Sequence, residues 1–219
     1  MTLLHISASP RGAQSESRAL AESFIEGLRA TRPDVVVEEW NLWDGSLPAF
    51  GPVLAEAKMA IFAGQEHTPA QAAAWAAVRD TFDRFDAADD YLFSVPMWNA
   101  GVPYVLKQLI DVVSQPGLVF AFDPEHGYTG LLRDKRAVVA ATSAVYGAGR
   151  AASFGSDFQT TFFEDWLRWA GVTDVTHLEL RPNIAVADAD LRRAEAHRRA
   201  HDAGRSFGLD AGSDRQDVA

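Results

Sequence analysis

Five short apolar segments alternate with longer amphipathic segments along the chain, and this alternation is the feature that most constrains its fold. The apolar segments are residues 3–7, 35–40, 91–95, 137–142 and 175–180. Most are near-continuous runs of valine, leucine, isoleucine and alanine, as in parallel strands buried on both faces. The sequence therefore predicts a doubly wound α/β fold with five parallel strands, in the order 2-1-3-4-5, and helices on both faces.

The intervening segments carry the spacing and end signals of helices. Helices are predicted at residues 15–29, 53–63, 69–88, 102–114, 156–169 and 190–207. For the third of these, Thr68 is a suitable N-cap and Pro69 takes the first helical position. Residues 118–132 predict a hairpin-like excursion. We expect one domain over residues 1–209, followed by a disordered tail at residues 210–219.

Composition limits the partners that this chain is expected to bind. The 219 residues carry a net charge of −10 without any block of consecutive Lys or Arg, which disfavours nucleic acid and anionic membrane surfaces. Cysteine is absent, so disulfides, thiolate metal sites and a cysteine nucleophile are excluded. The sequence also lacks the signals of a signal peptide and of a membrane span. We expect a cytoplasmic protein that acts on small molecules.

A polar loop follows the first predicted strand and leads into the first predicted helix. It contains Ser9, Arg11, Ser15 and Ser17. Hydroxyls and free amides at the positive end of a helix suit a phosphate group. Helix capping by Ser15 alone is the alternative interpretation of this loop.

A second unusual loop, the tetrapeptide Pro96-Met97-Trp98-Asn99, follows the third predicted strand. Because proline has a fixed φ and no amide of its own, the next amides can face a planar ligand with polar edges, such as a flavin. An ordinary turn containing a proline is the alternative. With the strand order 2-1-3-4-5, both loops face one crevice at the switch point of the sheet. Their convergence favours a ligand that has both a phosphate and a ring.

Several separated motifs resemble the FMN-dependent NADH-azoreductases, a family of flavodoxin-like quinone reductases. The motifs are Ser9, Ser15-Glu16-Ser17, the tetrapeptide, residues 106–111 and residues 169–175. The family has Ser-Gln-Ser at the second motif and Pro-Met-Tyr-Asn at the third. The resemblance runs over residues 3–187. It implies a flavodoxin-like fold, bound FMN, NADH or NADPH as electron donor, and a homodimer.

The resemblance also implies roles for individual residues. Ser9 and Ser15-Glu16-Ser17 would bind the FMN phosphate together with the Arg11 loop, and the tetrapeptide would hold the isoalloxazine ring by amides and packing. Ser143 and Ala144 fall where the family has a Ser-Arg-Gly-Gly-type turn at the ring edge, but the paired glycines are missing here. Trp98 replaces the usual tyrosine, and Ala100 stands where relatives often have phenylalanine. We therefore expect a reshaped acceptor pocket.

Four aromatic residues are predicted to line the substrate pocket: Phe122, Tyr128, Tyr146 and Trp169. The family uses the positions of Phe122 and Trp169 in this way, and it supplies the latter from the second subunit. Both are equally compatible with plain core packing. No metal site is predicted, because His197 and His201, although four residues apart, lie on an arginine-rich helix that is expected to be solvated.

The predicted function is an FMN-dependent oxidoreductase that takes hydride from NADH or NADPH. It would reduce quinones by two electrons, and aromatic azo compounds, in a ping-pong mechanism. The chemistry would take place on FMN, so no side chain is predicted to be catalytic. One alternative is a flavodoxin-type FMN electron carrier that acts with a protein partner. Another is an α/β domain without flavin, whose serine-rich loop holds a different phosphate compound.

Overall fold

A computed structural model describes residues 1–184 and 186–208, and five parallel strands form its main sheet. These strands are β1 (Thr2–Ser7), β2 (Val36–Asn41), β3 (Asp90–Pro96), β6 (Arg136–Thr142) and β7 (Asp174–Leu180). Their order is β2-β1-β3-β6-β7, which confirms the predicted 2-1-3-4-5 arrangement once the two hairpin strands between β3 and β6 are left out. The predicted tail at residues 210–219 lies outside the described residues.

Six α-helices accompany these strands in the described part of the chain. They are α1 (Glu16–Thr31), α2 (Pro52–Phe62), α3 (Pro69–Asp86), α4 (Tyr104–Val113), α5 (Phe158–Ala170) and α6 (Ala189–Ser206). Every predicted helix is present, with ends that differ by a few residues. At the start of α3, Thr68 and Gln71 form a capping box with Pro69 in the first turn, as the sequence predicts. None of the described helices is long and apolar enough to cross a membrane.

Alternating strand residues separate two cores. Leu4 and Ile6 of β1 pack on the side of α3, α4 and α5. Leu3 of the same strand packs on the opposite side, where α1 and α6 lie. Successive side chains of a strand point to opposite faces, so continuous apolar strands require helices on both faces. Each fully buried leucine or phenylalanine contributes about 1.5–3 kcal/mol through removal of apolar area from water.

Helices α1 and α6 cross at two glycines. A Cβ atom on Gly27 would overlap the carbonyl oxygen of His201, and one on Gly204 would overlap that of Phe24. Larger residues are therefore excluded at this crossing, and the two backbones approach closely. This contact fixes the position of α6 relative to the N-terminus of α1.

The predicted excursion is an antiparallel hairpin made of β4 (Phe120–Asp123) and β5 (Gly127–Gly130). The segment that follows β5 is hydrogen-bonded to α5, because the Leu132 amide donates to the Ala170 carbonyl at 3.1 Å. The ring of Phe120 also lies 4.8 Å from that of Trp169. The hairpin therefore packs on α5 and outside the main sheet.

Candidate active site

The loops that follow β1, β3 and β6 meet in one cleft at the carboxyl edge of the sheet. Ser7 pairs with Ser94, and Val95 pairs with Ala141, so the ends of these three strands lie level. The cleft has a volume of about 330 Å³. It is lined by Ser9, Arg11, Ser15, Glu16, Pro96, Met97, Trp98, Thr142, Ser143, Ala144, Asn183, Ile184 and Arg193. The structure thus brings most of the predicted cofactor residues together.

The serine-rich end of the cleft is the N-terminus of α1. Ser15 is the N-cap, and its Oγ accepts a hydrogen bond from the Arg18 amide at 3.3 Å. Capping and cleft lining are therefore roles of the same residue. The amides of Glu16 and Ser17 belong to the first turn, where no intrahelical acceptor exists. These groups and the helix dipole favour an anion at this end of the cleft.

Ser17 stands behind this surface and is not part of the lining. Its side chain is fully buried, and its Oγ lies 3.1 Å from the Ser15 Oγ. A hydroxyl in that position holds the Ser15 hydroxyl from behind. Ser9 is also buried, and its Oγ accepts from the Arg11 amide at 3.4 Å.

The amides of the tetrapeptide are less available than the sequence suggests. The Met97 amide donates to the Thr142 carbonyl at 2.7 Å, and the Trp98 amide donates to the Gly101 carbonyl at 2.9 Å. The expectation that successive amides after Pro96 face a ligand is therefore wrong for these two. Backbone pairing with β6 and a tight turn uses them instead. Met97 and Trp98 still line the cleft with their side chains.

The second half of the loop is a tight turn with unusual backbone angles. Asn99 has φ 48° and Ala100 has φ 69°. Residues 98 and 101 close the turn with two reciprocal 2.9 Å hydrogen bonds between Trp98 and Gly101. Asparagine tolerates this left-handed region, but alanine in it is strained by about 1–2 kcal/mol. The Phe158 amide, at the start of α5, holds the Ala100 carbonyl at 2.9 Å.

The turn after β6 is braced internally. The Ser143 hydroxyl donates to the Tyr146 carbonyl, and its own carbonyl accepts from the Asn183 amide at 2.9 Å. Because of the first bond, the Ser143 hydroxyl is committed to the turn. Gly147 packs closely on the segment after β7, since a Cβ there would approach the Pro182 ring to 2.5 Å.

One buried acceptor on the cleft wall lacks a partner. The Oδ1 atom of Asn183 is buried and has no hydrogen-bond partner among the described residues. A buried unpaired amide oxygen costs free energy, so this part of the cleft wall is locally destabilised.

The four predicted pocket aromatics do not all lie at this cleft. Tyr146 lines a 220 Å³ pocket that also includes Asn99 and shares Met97, Ser143 and Ala144 with the cleft. Phe122, Tyr128 and Trp169 instead form one cluster on the hairpin and α5, with ring centroids 5.0 Å and 5.6 Å apart. They are absent from the lining of both cavities. Phe122 is 57% exposed, so it presents its ring to the surroundings.

An apolar groove adjoins the cleft at Trp98. It has a volume of about 710 Å³ and is lined mainly by aromatic and aliphatic groups from the tetrapeptide, α4 and α5. Tyr104 and Phe158 are its most exposed rings. Trp43 supports this wall from behind, because its ring lies 5.6 Å from Trp98 and 5.1 Å from Tyr104.

The histidines of the described residues have structural surroundings. His126 is exposed on the hairpin turn, where its Nδ1 lies 2.8 Å from Asp123 Oδ1. His5 is buried in β1, with its Nε2 2.7 Å from the Ser94 Oγ, and burial lowers the pKa of His5 to about 4. Among the described residues, no group of three or more side chains is arranged to hold a metal ion.

Sequence reasoning missed four residues of the cleft: Thr142, Asn183, Ile184 and Arg193. Residues 182–184 follow the last strand, so the parallel topology alone brings them to the same edge. That signal was available in the strand order. Arg193 gave no such signal, because it belongs to a helix whose arginines predict a solvated surface.

Comparison with known proteins places the chain in a family. A family profile described as flavodoxin-like fold matches residues 1–203. The FMN-dependent NADH:quinone oxidoreductase of Ruegeria pomeroyi is 45% identical over 186 residues, which cover 85% of this chain and 91% of that protein. This chain belongs to the flavodoxin-like family of FMN-dependent NADH:quinone oxidoreductases. The predicted flavodoxin-like fold and the predicted family resemblance are thereby confirmed.

Further members of the family agree with this result. The FMN-dependent NADH:quinone oxidoreductase of Nitratidesulfovibrio vulgaris (strain DP4) is 39% identical over 198 residues, with 89% of this chain and 94% of that protein covered. The crystal structure of the azoreductase AzrA superposes on this protein with a TM-score of 0.84 and 25% sequence identity. The superposition covers 94% of this chain and all of the AzrA chain.

Proposed function

We propose that this protein is an oxidoreductase that binds FMN in the carboxyl-edge cleft, takes hydride from NADH or NADPH, and reduces quinones by two electrons. The observation that supports this proposal most is that a serine-lined helix N-terminus and the tetrapeptide line the same cleft. The relatives named FMN-dependent NADH:quinone oxidoreductase support the cofactor, the donor and the acceptor class. AzrA, which is named an azoreductase, supports azo compounds as further acceptors.

The donor set of the cleft fits FMN. Ser9, Ser15 and the first-turn amides of α1 suit the phosphate, with Ser17 behind them. Asn183 lines the same cleft and adds a polar side-chain amide to its wall. At the other end, Met97 and Trp98 supply flat apolar surface for the ring, and Asn99, Ser143 and Ala144 surround its edge.

Bound FMN would supply the hydride chemistry, and the protein contributes orientation and shielding. Pro96 and Met97 are fixed by pairing with β6, so the wall against which the ring packs is rigid. None of the described residues that line the cleft is a His, Cys, Lys or Tyr, and the Glu16 carboxylate is paired with Arg193. We therefore infer that protons for the acceptor come from solvent.

The small volume beside the cleft supports a ping-pong mechanism. The pocket at Tyr146 measures about 220 Å³, which leaves room for one flat ring at a time. Donor and acceptor would therefore occupy it in turn. Tyr146 and Phe154 supply aromatic surface against which either ring can stack.

We also propose that the protein acts as a homodimer in the cytoplasm. The exposed rings of Tyr104 and Phe158 line an apolar groove that continues from Trp98, and burial of such a surface favours association. In addition, Phe122, Tyr128 and Trp169 do not line the cleft of their own chain. A second copy offers a way for them to reach a substrate pocket.

Absorption spectroscopy tests the function directly. The purified protein, reconstituted with FMN, is expected to lose its yellow colour when NADH is added without oxygen and to regain it with benzoquinone or methyl red. Initial rates at several fixed quinone concentrations are expected to give parallel double-reciprocal lines. An FMN-loaded protein that is inert to both NADH and NADPH would contradict the proposal. Reoxidation only by a protein partner would favour the electron-carrier alternative.

Sedimentation velocity tests the dimer. The Phe158→Glu variant is expected to shift the protein toward monomer, because a charge would lie in the buried centre of the interface. Leu191→Glu is the matched control, since Leu191 of α6 is similarly exposed, at 69% against 65%, but does not line the apolar groove. A monomeric wild-type protein with full quinone reductase activity would contradict this part of the proposal.

A further inference from the structure

One arginine reaches the phosphate end of the cleft from the last helix. Arg193 of α6 lines the cleft together with Ser9 and Ser15. Its Nε donates to the Glu16 carboxylate at 3.0 Å, and its Nη2 lies 3.0 Å from the same group. Its Nη1 donates to Asp190 at 2.8 Å. The guanidinium is therefore held in place by two carboxylates at the mouth of a cleft suited to an anion.

Glu16 puts a negative charge at the phosphate end of the cleft. It is the first residue of α1 and directly follows the N-cap Ser15. A carboxylate in the first turn of α1 interacts well with the helix dipole, but it repels a phosphate dianion that binds to the same turn. Two arginines that line the cleft, Arg11 and Arg193, can offset this repulsion, and Arg193 is the one that pairs with Glu16.

Arg193 has the capacity to provide that charge and two hydrogen bonds. A guanidinium carries five N–H donors. The contacts to Glu16 and Asp190 use one on Nε, one on Nη2 and one on Nη1. At least two N–H groups remain for phosphate oxygens, and guanidinium groups bind phosphates in paired geometry. The glycine crossing of α1 and α6 fixes the backbone that presents this side chain.

We propose that Arg193 is a phosphate-binding residue, and that Glu16 serves to hold its guanidinium at the cleft in readiness for the phosphate monoester of FMN. This inference rests on the proposed function, because it concerns how this chain binds the same cofactor. It assigns a cofactor-binding role to α6, which otherwise packs with α1 in the core on one face of the sheet. The last helix would thereby be coupled to cofactor binding.

Flavin titrations of the apoprotein test the proposal without any measurement of activity. Fluorescence titrations with FMN and with riboflavin, which lacks the phosphate, give two dissociation constants for each variant. Arg193→Gln is expected to weaken FMN binding about tenfold, as for loss of a partly exposed charged hydrogen bond, and to leave riboflavin binding within about twofold. Arg193→Lys is expected to recover part of the loss, because it keeps the charge without the fork.

Arg192→Gln is the matched control. Arg192 is the neighbouring residue on α6, pairs with Asp188 at 2.8 Å, and does not line the cleft. Its loss is expected to leave both dissociation constants unchanged. Thermal unfolding of each apoprotein shows whether a variant is folded, and Arg193→Lys keeps the test available if Arg193→Gln is not.

The Glu16→Gln background separates phosphate binding from simple neutralisation of Glu16. If Arg193 contacts the phosphate, Arg193→Gln still weakens FMN binding when residue 16 is Gln. An effect that vanishes in that background would overturn the inference, as would equal losses for FMN and riboflavin, or an unchanged FMN constant in Arg193→Gln. A wild-type apoprotein that binds neither flavin would instead overturn the proposed function itself.

Discussion

A buried ion pair at the amino edge of the main sheet contrasts with an unpaired amide oxygen and a strained turn at its carboxyl edge. At the amino edge, Asp90 is buried, and its two carboxylate oxygens accept hydrogen bonds of 2.8 Å from Arg136. Nearby, the Lys135 ammonium donates to the carbonyls of Asp86 and Ala88. At the carboxyl edge, by contrast, the buried Oδ1 of Asn183 has no partner, and Ala100 has φ 69°.

The difference shows which groups stabilise the folded protein and which groups destabilise it. Fully paired buried charges resist change, because removal of either partner leaves an uncompensated charge. Unpaired acceptors and left-handed alanines lower stability, and they persist where a ligand or a required backbone path offsets their cost. The Asp90–Arg136 pair therefore stabilises the fold, whereas Asn183 and the Ala100 turn lie at or beside the cleft proposed for recognition.

Asp90→Ala is the substitution at the amino edge that is expected to destabilise the protein most. We expect a loss of about 3 kcal/mol in the free energy of unfolding, because Arg136 is left without its partner. The FMN dissociation constant of the folded protein is expected to stay unchanged. Urea unfolding and flavin titration measure the two quantities. Asp89→Ala, at a neighbouring but exposed carboxylate that pairs with the chain N-terminus, is expected to cost less than about 1 kcal/mol.

The pH dependence of stability tests His5, which is buried in β1 between the two edges. Above pH 6.5 His5 is neutral in both states, and below that value the unfolded chain takes up a proton that the folded protein resists down to a pKa of about 4. Stability therefore falls as pH decreases through this window, by about 2 kcal/mol at pH 5 for this group.

Urea unfolding of His5→Gln at pH 7.5 and pH 5 measures this contribution. The variant is expected to lose less stability between the two pH values than the wild type does. Equal pH dependence in His5→Gln and the wild type would show that His5 is not the group responsible.

The strained turn at the carboxyl edge is relieved by Ala100→Gly. We expect a gain of about 1 kcal/mol in the free energy of unfolding, because glycine adopts positive φ without a Cβ clash. Ala76→Gly, in the middle of α3, is expected to lose a similar amount, because the helix has no such strain. A loss of stability in Ala100→Gly would contradict the assignment of strain to this turn.

The smallest expected effect concerns the core on the side of α5. The Tyr91 hydroxyl is buried without a partner, and burial raises the pKa of Tyr91 well above its usual value. Its ring stacks on Phe85 at 4.4 Å. Tyr91→Phe keeps this packing and removes the unsatisfied group, so a change between zero and a gain of about 1 kcal/mol is expected in thermal or urea unfolding.

The sequence allowed the sheet and the helices to be predicted, because each buried strand and each helix end carries a local signal. The serine-rich helix start and the tetrapeptide were also found locally. The rest depends on contacts between distant residues. Arg193 meets Glu16 across 177 positions of sequence, and the Met97 amide is taken by Thr142 of another strand. No local pattern carries such information.

The aromatic prediction shows the same limit. Phe122, Tyr128 and Trp169 were recognised as a group with one role, and the structure does bring them together. Their separation from the cleft follows from the packing of the hairpin on α5, which depends on Leu132 and Ala170. The family resemblance therefore pointed to the positions of Phe122 and Trp169 as pocket residues, but it carried no information on their distance from the cleft of this chain.

A crystal structure of the protein grown with saturating FMN tests the central claim most directly. The account predicts phosphate oxygens within hydrogen-bond distance of Ser9 and Ser15 at the start of α1, and the ring beside Met97 and Trp98 at the carboxyl edge. FMN bound instead in the apolar groove, or at the amino edge beside Asp90 and Arg136, would contradict it.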